Sequence, residues 1–452
     1  MNQTHSRRAR GLLAGTAIAM LAAFLGSAAG ASELPAQNSV VNRQHLQQAG
    51  EDGSAKATTA TTDGRYGVST GWSSATDSAL TITGNRQSAE VAGNAASTTL
   101  TARTVRAEGG DYYEPTPFAV LTNRQTGDGA VKATSRMTVA APGEIGRSSV
   151  TLSDNANTAL ARMNDATNGV TVEAATIAGE TRLTSGQKAS GSVTASAATR
   201  IVDGKVSAPI PASRYAIEDN STASEATANR ALNSLSASAA TIAGGRTVLD
   251  NRQHNDAEVR ATTRTALNVR GSGSYGSTIS IDSNSASSLA RGNVAENRMT
   301  VSGGAGTGDY PGGGEPQMLA RATFVPIPAG AVLANRQVND GGVAAKTDSG
   351  ASVALNCGCT TDSRIGLTGN TGAASAYGNA ALNSATVEGA GQPLALVSNV
   401  QINRGPVTAA VKGRFGAAMT GGVNAGLVTV SGNSLAATAI GNQAVNAITV
   451  TR

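Results

Sequence analysis

Aromatic and other large apolar side chains are scarce in this sequence. Aromatic residues make up 3% of the 452 residues, and there is one Trp. Alanine supplies much of the 40% apolar share, and the chain contains 54 glycines. Such a chain cannot fill a wide globular core with large side chains. It can fill a thin core in which neighbouring backbones approach closely.

Cysteine and histidine are also rare, with two Cys and three His. Cys357 and Cys359 are one residue apart, which in an exported chain favours a strained local disulfide or two free thiols over a metal site. His45 and His254 occupy equivalent places, two residues after a recurring Asn-Arg pair. Neither has a carboxylate or cysteine at a ligand spacing, so we expect both to be surface residues. The sequence therefore predicts no metal ligand and no cofactor.

Charged residues are only 14% of the chain, and the positive excess is concentrated at the N-terminus. Three arginines at residues 7–10 precede an apolar segment at 11–26, and Ala29-Gly30-Ala31 is an A-x-A cleavage site. Residues 1–31 thus predict a secretory signal peptide, too short and badly flanked for a transmembrane helix. Its removal lowers the formal net charge from +5 to about +2. The basic composition therefore does not indicate a nucleic-acid partner.

The chain is rich in asparagine at a repeated spacing. Asn433 is followed nine residues later by Asn442, eleven later by Ala444 and thirteen later by Asn446. The spacing recurs upstream, with Thr98 replacing the last Asn in its first copy. Such repeats indicate stacked units that bury a core only together. The predicted ladder residues are Asn85, Asn94, Asn155, Asn164, Asn220, Asn229, Asn284, Asn293, Asn370, Asn379, Asn433 and Asn442.

A second unit, Asn-x-Gln, alternates with the first. In one copy Asn123 and Gln125 are followed by Val131 and Ala133. Most steps between units are about 29 to 38 residues, and two adjacent units make a full repeat near 64. About six double repeats would fill residues 32–452. If each unit forms one coil at roughly 4.8 Å, twelve units give a rod of about 58 Å.

The local pattern within the units predicts strands. Ala159 and Ala161 alternate with polar residues, and β-branched runs such as 170–172 follow the units. We therefore expect an all-β, repetitive β-solenoid, a β-helix-like stack of short strands after the signal peptide. Alanine would point inward, and asparagine amides would form hydrogen-bonded ladders along the axis.

Glycine marks two further features of the pattern. A recurring Gly-Asn pair, at Gly93, Gly292, Gly378 and Gly441, predicts turns, because both residues tolerate a left-handed backbone. Two steps are long, and we expect loop insertions near 101–117 and 302–330.

Arginine recurs inside Asn-Arg-Gln, at Arg43, Arg86, Arg124, Arg252 and Arg336. Stacked coils could align several of these into a basic stripe that meets an acidic polysaccharide. The alternative is a solvated face whose charges prevent edge-to-edge aggregation. Acidic residues do not recur with the repeat, and no Ser-His-Asp, HExxH or phosphate-loop motif is evident. We therefore expect no enzyme.

The units 335–339 (NRQVN) and 441–446 (GNQAVN) resemble those of the holdfast anchoring protein D family of stalked and related alphaproteobacteria. The resemblance covers most of the chain after the signal. It implies an outer-membrane-associated cell-surface protein that fixes an adhesive polysaccharide, the holdfast, to the cell. The implied partners are companion anchor proteins and an outer-membrane secretion pore resembling that of curli. The family has no catalytic motif to carry over.

Two other functions stay open. A curli-like amyloid fibre subunit would also use Gln and Asn ladders and would self-associate. A polysaccharide-cleaving β-helix enzyme would need carboxylates, Arg or Lys clustered on one face, and a panel of acidic glycans would test it.

Overall fold

The chain forms a stack of parallel strands, which confirms the predicted all-β solenoid. The computed structural model describes residues 38–46, 57–68, 75–107, 117–141, 145–202, 210–242, 246–305, 329–356, 360–389, 394–420 and 422–451. Within these ranges no helical segment has the length and hydropathy needed to cross a membrane.

In the described residues, thirty strands follow one another in six turns of five. The first turn contains β1 (Asn38–Leu46), β2 (Ala57–Gly67), β3 (Ala75–Thr76), β4 (Ala79–Thr83) and β5 (Arg86–Ala107). The second contains β6 (Ala119–Gly127), β7 (Ala130–Ala140), β8 (Ile145–Gly146), β9 (Ser149–Ser153) and β10 (Ala156–Ile177). The third contains β11 (Thr181–Ala189), β12 (Ser192–Val202), β13 (Ile210–Pro211), β14 (Arg214–Glu218) and β15 (Ser221–Ile242).

The last three turns repeat this order. The fourth contains β16 (Thr247–Asn255), β17 (Glu258–Gly271), β18 (Ser274–Tyr275), β19 (Thr278–Asp282) and β20 (Ser285–Ala305). The fifth contains β21 (Ala329–Asn339), β22 (Val343–Leu355), β23 (Thr360–Thr361), β24 (Arg364–Thr368) and β25 (Thr371–Glu388). The sixth contains β26 (Leu394–Asn403), β27 (Val407–Met419), β28 (Val423–Asn424), β29 (Leu427–Ser431) and β30 (Ser434–Thr451).

Strands at the same position in successive turns pair in parallel. Sheet 1 joins β1, β6, β11, β16, β21 and β26, and sheet 2 joins β2, β7, β12, β17, β22 and β27. Sheet 3 joins β13, β18, β23 and β28, while β3 and β8 form a separate pair. Sheet 4 joins β4, β9, β14, β19, β24 and β29, and sheet 5 joins β5, β10, β15, β20, β25 and β30.

One turn contains both kinds of repeat unit, so the prediction of one coil per unit is wrong. The Asn-x-Gln unit lies on sheet 1, where Asn42 pairs with Asn123. The other unit lies on sheet 5, where Asn164 pairs with Asn229. Only units of the same kind bring matching asparagines into register, and the chain needs both units to complete a turn. Six turns at about 4.8 Å give a stack of about 29 Å rather than 58 Å.

The interior consists of three apolar clusters that differ in side-chain size. The middle cluster, between sheets 1, 2 and 5, is built mainly of alanine and valine, such as Ala161 and Val193. A second cluster, between sheets 2 and 4, contains larger residues such as Leu152 and Ile217. The third, between the first half of sheet 1 and the second half of sheet 5, includes Leu121. The predicted narrow alanine core therefore describes only the middle of each turn.

A sharp corner precedes sheet 5 in every turn. The corner residue has a positive φ, between 54° and 70°, and lies directly before the first repeat asparagine. Glycine and aspartate predominate there because they adopt the left-handed region at low cost. The corner residues are Gly84, Asp154, Asp219, Ser283, Gly369 and Gly432.

The Gly-Asn pairs predicted as turns lie inside the long strands of sheet 5, so that prediction is wrong. Gly93 belongs to β5 and Gly292 to β20, and neither has a positive φ. A Cβ atom at Gly292 would lie 2.5 Å from the backbone oxygen of Gly378 and 2.5 Å from Asn339 Oδ1. Glycine is needed here because the next turn approaches closely.

Strand pairing also extends into the predicted insertions. Residues 101–107 belong to β5, which pairs with β10 as far as Ala107 and Ile177. Residues 302–305 belong to β20, and residues 329–330 belong to β21. Residues 108–116 and 306–328, which make up most of the rest of the two intervals, lie outside the described residues. So do the predicted signal peptide at 1–31 and the cysteines Cys357 and Cys359.

Candidate functional surfaces

The repeat asparagines at the start of sheet 5 and within it form three hydrogen-bonded columns. Two of them contain the predicted ladder residues, and the third joins, at 2.7 to 2.8 Å, Asn168, Asn233, Asn297, Asn383 and Asn446. In each column the side-chain Nδ2 of one turn donates to Oδ1 of the next turn. The distances are 2.7 to 3.0 Å in the column of Asn85, Asn155, Asn220, Asn284, Asn370 and Asn433. They are 2.7 to 2.8 Å in the column of Asn94, Asn164, Asn229, Asn293, Asn379 and Asn442. The structure therefore places every predicted ladder residue in one of the two columns.

The second column also joins sheet 5 to sheet 1. Asn229 Nδ2 donates to Asn293 Oδ1 at 2.8 Å and to the backbone oxygen of His254 at 2.9 Å. Asn293 Nδ2 likewise donates to the backbone oxygen of Val338 at 2.8 Å. Both asparagines are fully buried. Both amide hydrogens are thus used, as a buried amide requires. The sequence pattern did not indicate this link across the interior.

The glutamines of sheet 1 form a ladder that runs in the opposite direction. Gln125 Nε2 donates to Gln44 Oε1 of the preceding turn at 2.8 Å, and Gln401 Nε2 donates to Gln337 Oε1 at 2.7 Å. Glutamine amides therefore donate towards the first turn, whereas the asparagine columns of sheet 5 donate towards the sixth.

Four of the arginines in Asn-Arg-Gln share one column on the outer face of sheet 1. Arg43 pairs in register with Arg124, and Arg252 pairs with Arg336. Gly186 occupies the column in the third turn, between Arg124 and Arg252. All four arginines are exposed. Neighbouring strands are about 4.8 Å apart, so the column is a linear array of cationic groups parallel to the stacking axis.

Other charges modify this face. In the third turn Arg182 and Lys188 point outward from β11, where the column has glycine. Arg182 Nε lies 2.7 Å from Glu180 Oε1, so Lys188 is the one of the two that adds positive charge to this face. Period-two alternation from Gly186 could have located both residues. Arg252 Nη2 lies 2.8 Å from Asp250 Oδ2, which neutralises part of the column. Arg86 is the first residue of β5 on sheet 5, so it does not belong to the arginine column on sheet 1.

His254 lies next to two carboxylates, so the expectation that it has none nearby is wrong. Its Nε2 is 2.8 Å from Asp256 Oδ1 and 3.0 Å from Asp340 Oδ2. One potential ligand atom from each residue lies within 4.8 Å of the other two. Asp256 stands only two residues after the histidine, a spacing that could have been noticed. Asp340 is supplied by the next turn, and no sequence spacing revealed it.

His45 occupies the equivalent position in the first turn and also faces a carboxylate from the turn above. Its Nε2 is 2.8 Å from Asp128 Oδ2. Asp128 also accepts a hydrogen bond from the hydroxyl of Ser190. These contacts, with that from His45 the larger, hold the pKa of the Asp128 carboxyl below its usual value. The hydrogen bond from His254, together with Arg404, lowers the pKa of Asp340 in the same way.

The sixth turn presents an apolar surface at its end of the stack. Val430, Leu435 and Ile448 are 48%, 45% and 48% exposed, whereas Leu367, in the same column as Val430, is 0% exposed and Met299, in the same column as Ile448, is 1% exposed. In the part of the chain that the structure describes, no strand pairs with the outer edge of this turn. Inward-facing residues of the sixth turn are therefore accessible.

Comparison with protein-family models, with curated proteins and with solved structures gives no match to this chain.

Proposed function

We propose that the chain is a non-catalytic structural protein of the cell surface that anchors an adhesive polysaccharide to the cell envelope. The observation that carries the proposal is the exposed column of Arg43, Arg124, Arg252 and Arg336 on sheet 1. A polyanionic chain lying along the column would meet several guanidinium groups at once. Each group can bind a carboxylate through two parallel hydrogen bonds. Linked weak contacts of this kind add up to tight attachment.

The interior supports a mechanical role. Amide ladders cross every turn, and buried amides of the second asparagine column, such as those of Asn229 and Asn293, are bonded both along the axis and across to sheet 1. A scaffold of this kind holds the arginines at regular positions without rearrangement, so little ordering entropy is lost when a ligand binds.

The proposal includes export and outer-membrane association, with companion anchor proteins and a secretion pore as partners. These elements rest on the predicted signal peptide and on the resemblance to the holdfast anchoring family. Fractionation of cells that express the protein, with detection in the outer-membrane fraction, tests the location directly.

A deletion strain tests the anchor function. Surface polysaccharide is labelled with a fluorescent lectin, and adhesin on cells is counted against adhesin left on glass. We expect the deletion strain to produce the adhesin but to release it, so that the adhesin is found on the glass rather than on the cells. Adhesin that stays firmly on the cells would contradict the proposal.

Complementation then tests the arginine column. The variant Arg124→Gln, Arg252→Gln, Arg336→Gln should fail to restore attachment although it reaches the surface. The matched control replaces three exposed residues of sheet 2, in a variant written R136Q/R200Q/R264Q, and should restore attachment. Equal behaviour of the two variants would remove the column from the binding surface.

A curli-like fibre subunit is the second candidate, favoured by the accessible sixth turn. The asparagine columns of sheet 5 present amide N–H groups at the sixth turn and amide oxygens at the first. Two copies could therefore continue the ladders head to tail. Purified protein that sediments as thioflavin-positive fibres and seeds fresh monomer would favour this function. Protein that stays monomeric at high concentration would exclude it.

A further inference from the structure

We infer that His254, Asp256 and Asp340 form a binding site for a divalent transition-metal ion, with Zn²⁺ as the best match. The three residues lie at the C-terminal ends of two neighbouring strands of sheet 1, where the chain passes from sheet 1 to sheet 2. His254 is near the end of β16, and Asp256 follows that strand directly. Asp340 occupies the same place after β21 in the next turn. The site is independent of the proposed anchor function.

The geometry is compact enough for one ion. His254 Nε2 lies 2.8 Å from Asp256 Oδ1 and 3.0 Å from Asp340 Oδ2. Zinc binds histidine nitrogen and carboxylate oxygen at about 2.0–2.2 Å, so the ligand atoms of a tetrahedral site are roughly 3.3 Å apart. Small side-chain rotations open the observed triangle to that size.

Hydrogen bonding alone leaves this group incompletely satisfied. Nε2 carries at most one hydrogen, yet it faces a carboxylate oxygen on each of two sides. A divalent ion in place of that hydrogen contacts all three ligand atoms at once. Nitrogen together with carboxylate oxygen is a donor set typical of zinc and its first-row neighbours, whereas Ca²⁺ and Mg²⁺ select oxygen alone.

The local charge also favours a cation. Asp256 and Asp340 bring two negative charges, and Arg404 Nη1 offsets one of them at 3.2 Å from Asp340 Oδ1. Arg404 is closer to Oδ1 than to Oδ2, the oxygen that faces His254. With a neutral imidazole, the group therefore keeps one excess negative charge and a free face on Asp340.

The backbone holds the ligands in place before any ion binds. The amide of Asp256 donates to the oxygen of Ala189 at 2.7 Å, and the amide of Asp340 donates to the oxygen of Asn255 at 2.8 Å. Asn255 is fully buried between the ligands, and its Nδ2 donates to Asn339 Oδ1 at 2.6 Å. The two carboxylates thus project from equivalent backbone positions in successive turns, and hydrogen bonds hold both positions in place. This lowers the entropy cost of assembling the site.

The chain contains a natural control in its first turn. His45 pairs with Asp128 as His254 pairs with Asp340. The residue two positions after His45 is Gln47, where the fourth turn has Asp256. The first-turn position therefore offers one carboxylate and should bind zinc much more weakly.

Isothermal titration with ZnCl₂ tests the inference. The protein is tag-free, EDTA-treated and dialysed, in a background with Cys357→Ser and Cys359→Ser, because thiols are themselves zinc ligands. We expect saturable binding of one zinc ion per chain and no competition by excess MgCl₂.

Single substitutions locate the ion. His254→Gln and Asp256→Asn should each weaken zinc binding more than about tenfold, while His45→Gln should leave the affinity unchanged. His254 and Asp256 are partly exposed, so circular dichroism should report the same β-structure in every variant. Absence of saturable binding, equal affinity in wild type and H254Q, or an equal loss in H45Q would overturn the inference.

Discussion

Asn229 donates its side-chain amide hydrogen to Asn293 Oδ1 at 2.8 Å, although 64 residues separate the two along the chain. Asn293 in turn donates to Asn379 Oδ1 at 2.8 Å and to the backbone oxygen of Val338. A single buried side chain thus serves three partners in three different strands. Its role can be measured by removing it.

Replacing Asn293 with leucine should destabilise the central turns strongly. The change leaves an unpaired donor on Asn229 and unpaired acceptors on Asn379 and Val338, each costing about 1–3 kcal/mol when buried. We expect a loss of at least about 3 kcal/mol in urea unfolding, with faster hydrogen exchange in sheets 1 and 5. The control is Asn442→Leu in the exposed sixth turn, where the loss should be much smaller. Equal stability of N293L and the wild type would show that the buried ladder contributes little.

Glycine at position 292 should be required for close packing of successive turns. The variant Gly292→Ala places a Cβ atom 2.5 Å from the backbone oxygen of Gly378. The turns must separate locally, and such overpacking typically costs about 1–3 kcal/mol. Gly366 is the control, because a Cβ atom there would have no atom within 4 Å. Thermal unfolding should rank G292A below G366A, and the reverse order would contradict the packing argument.

A glycine should be tolerated, and even favoured, at position 212. Ala212 has a φ of 46° and is exposed, while Gly276 occupies the same corner in the next turn. A left-handed backbone costs a non-glycine residue about 1–2 kcal/mol, and the extra entropy of glycine in the unfolded chain offsets part of that gain. We expect Ala212→Gly to stabilise the protein by about 0.5 kcal/mol. Ala216→Gly, within β14, should instead destabilise it.

The contact between Asp340 and His254 should make stability depend on pH in the acid range. The folded-state pKa of Asp340 lies below its ordinary value of 3.8, with the hydrogen bond from His254 as the largest cause. The stabilisation is therefore present above about pH 3.8 and is lost as the pH falls through the lower, folded-state pKa. In EDTA, the melting temperature of the wild type should exceed that of Asp340→Asn at pH 6, and the difference should shrink below pH 3.8. A difference that stays constant down to pH 2 would exclude this linkage.

The sequence by itself determined the strand character, the repeat and the identity of the ladder residues. Period-two alternation around Ala159 and Ala161 is a local property, and both side chains are buried. The recurring asparagines were identifiable because an amide ladder needs the same residue at the same place in every turn. Those properties can be read without knowing how the chain closes on itself.

Only the tertiary structure decided how the units combine and which distant residues meet. The Gly-Asn pair that begins at Gly292 is typical of a chain reversal, but Gly292 lies inside strand β20. Glycine is needed there because the backbone of the next solenoid turn approaches closely. Asp340 reaches His254 across 86 residues. Parallel stacking places every residue about 4.8 Å from its counterpart one full turn away. The length of that turn is set by the closure of five sheets around three apolar clusters, and no single repeat unit specifies it.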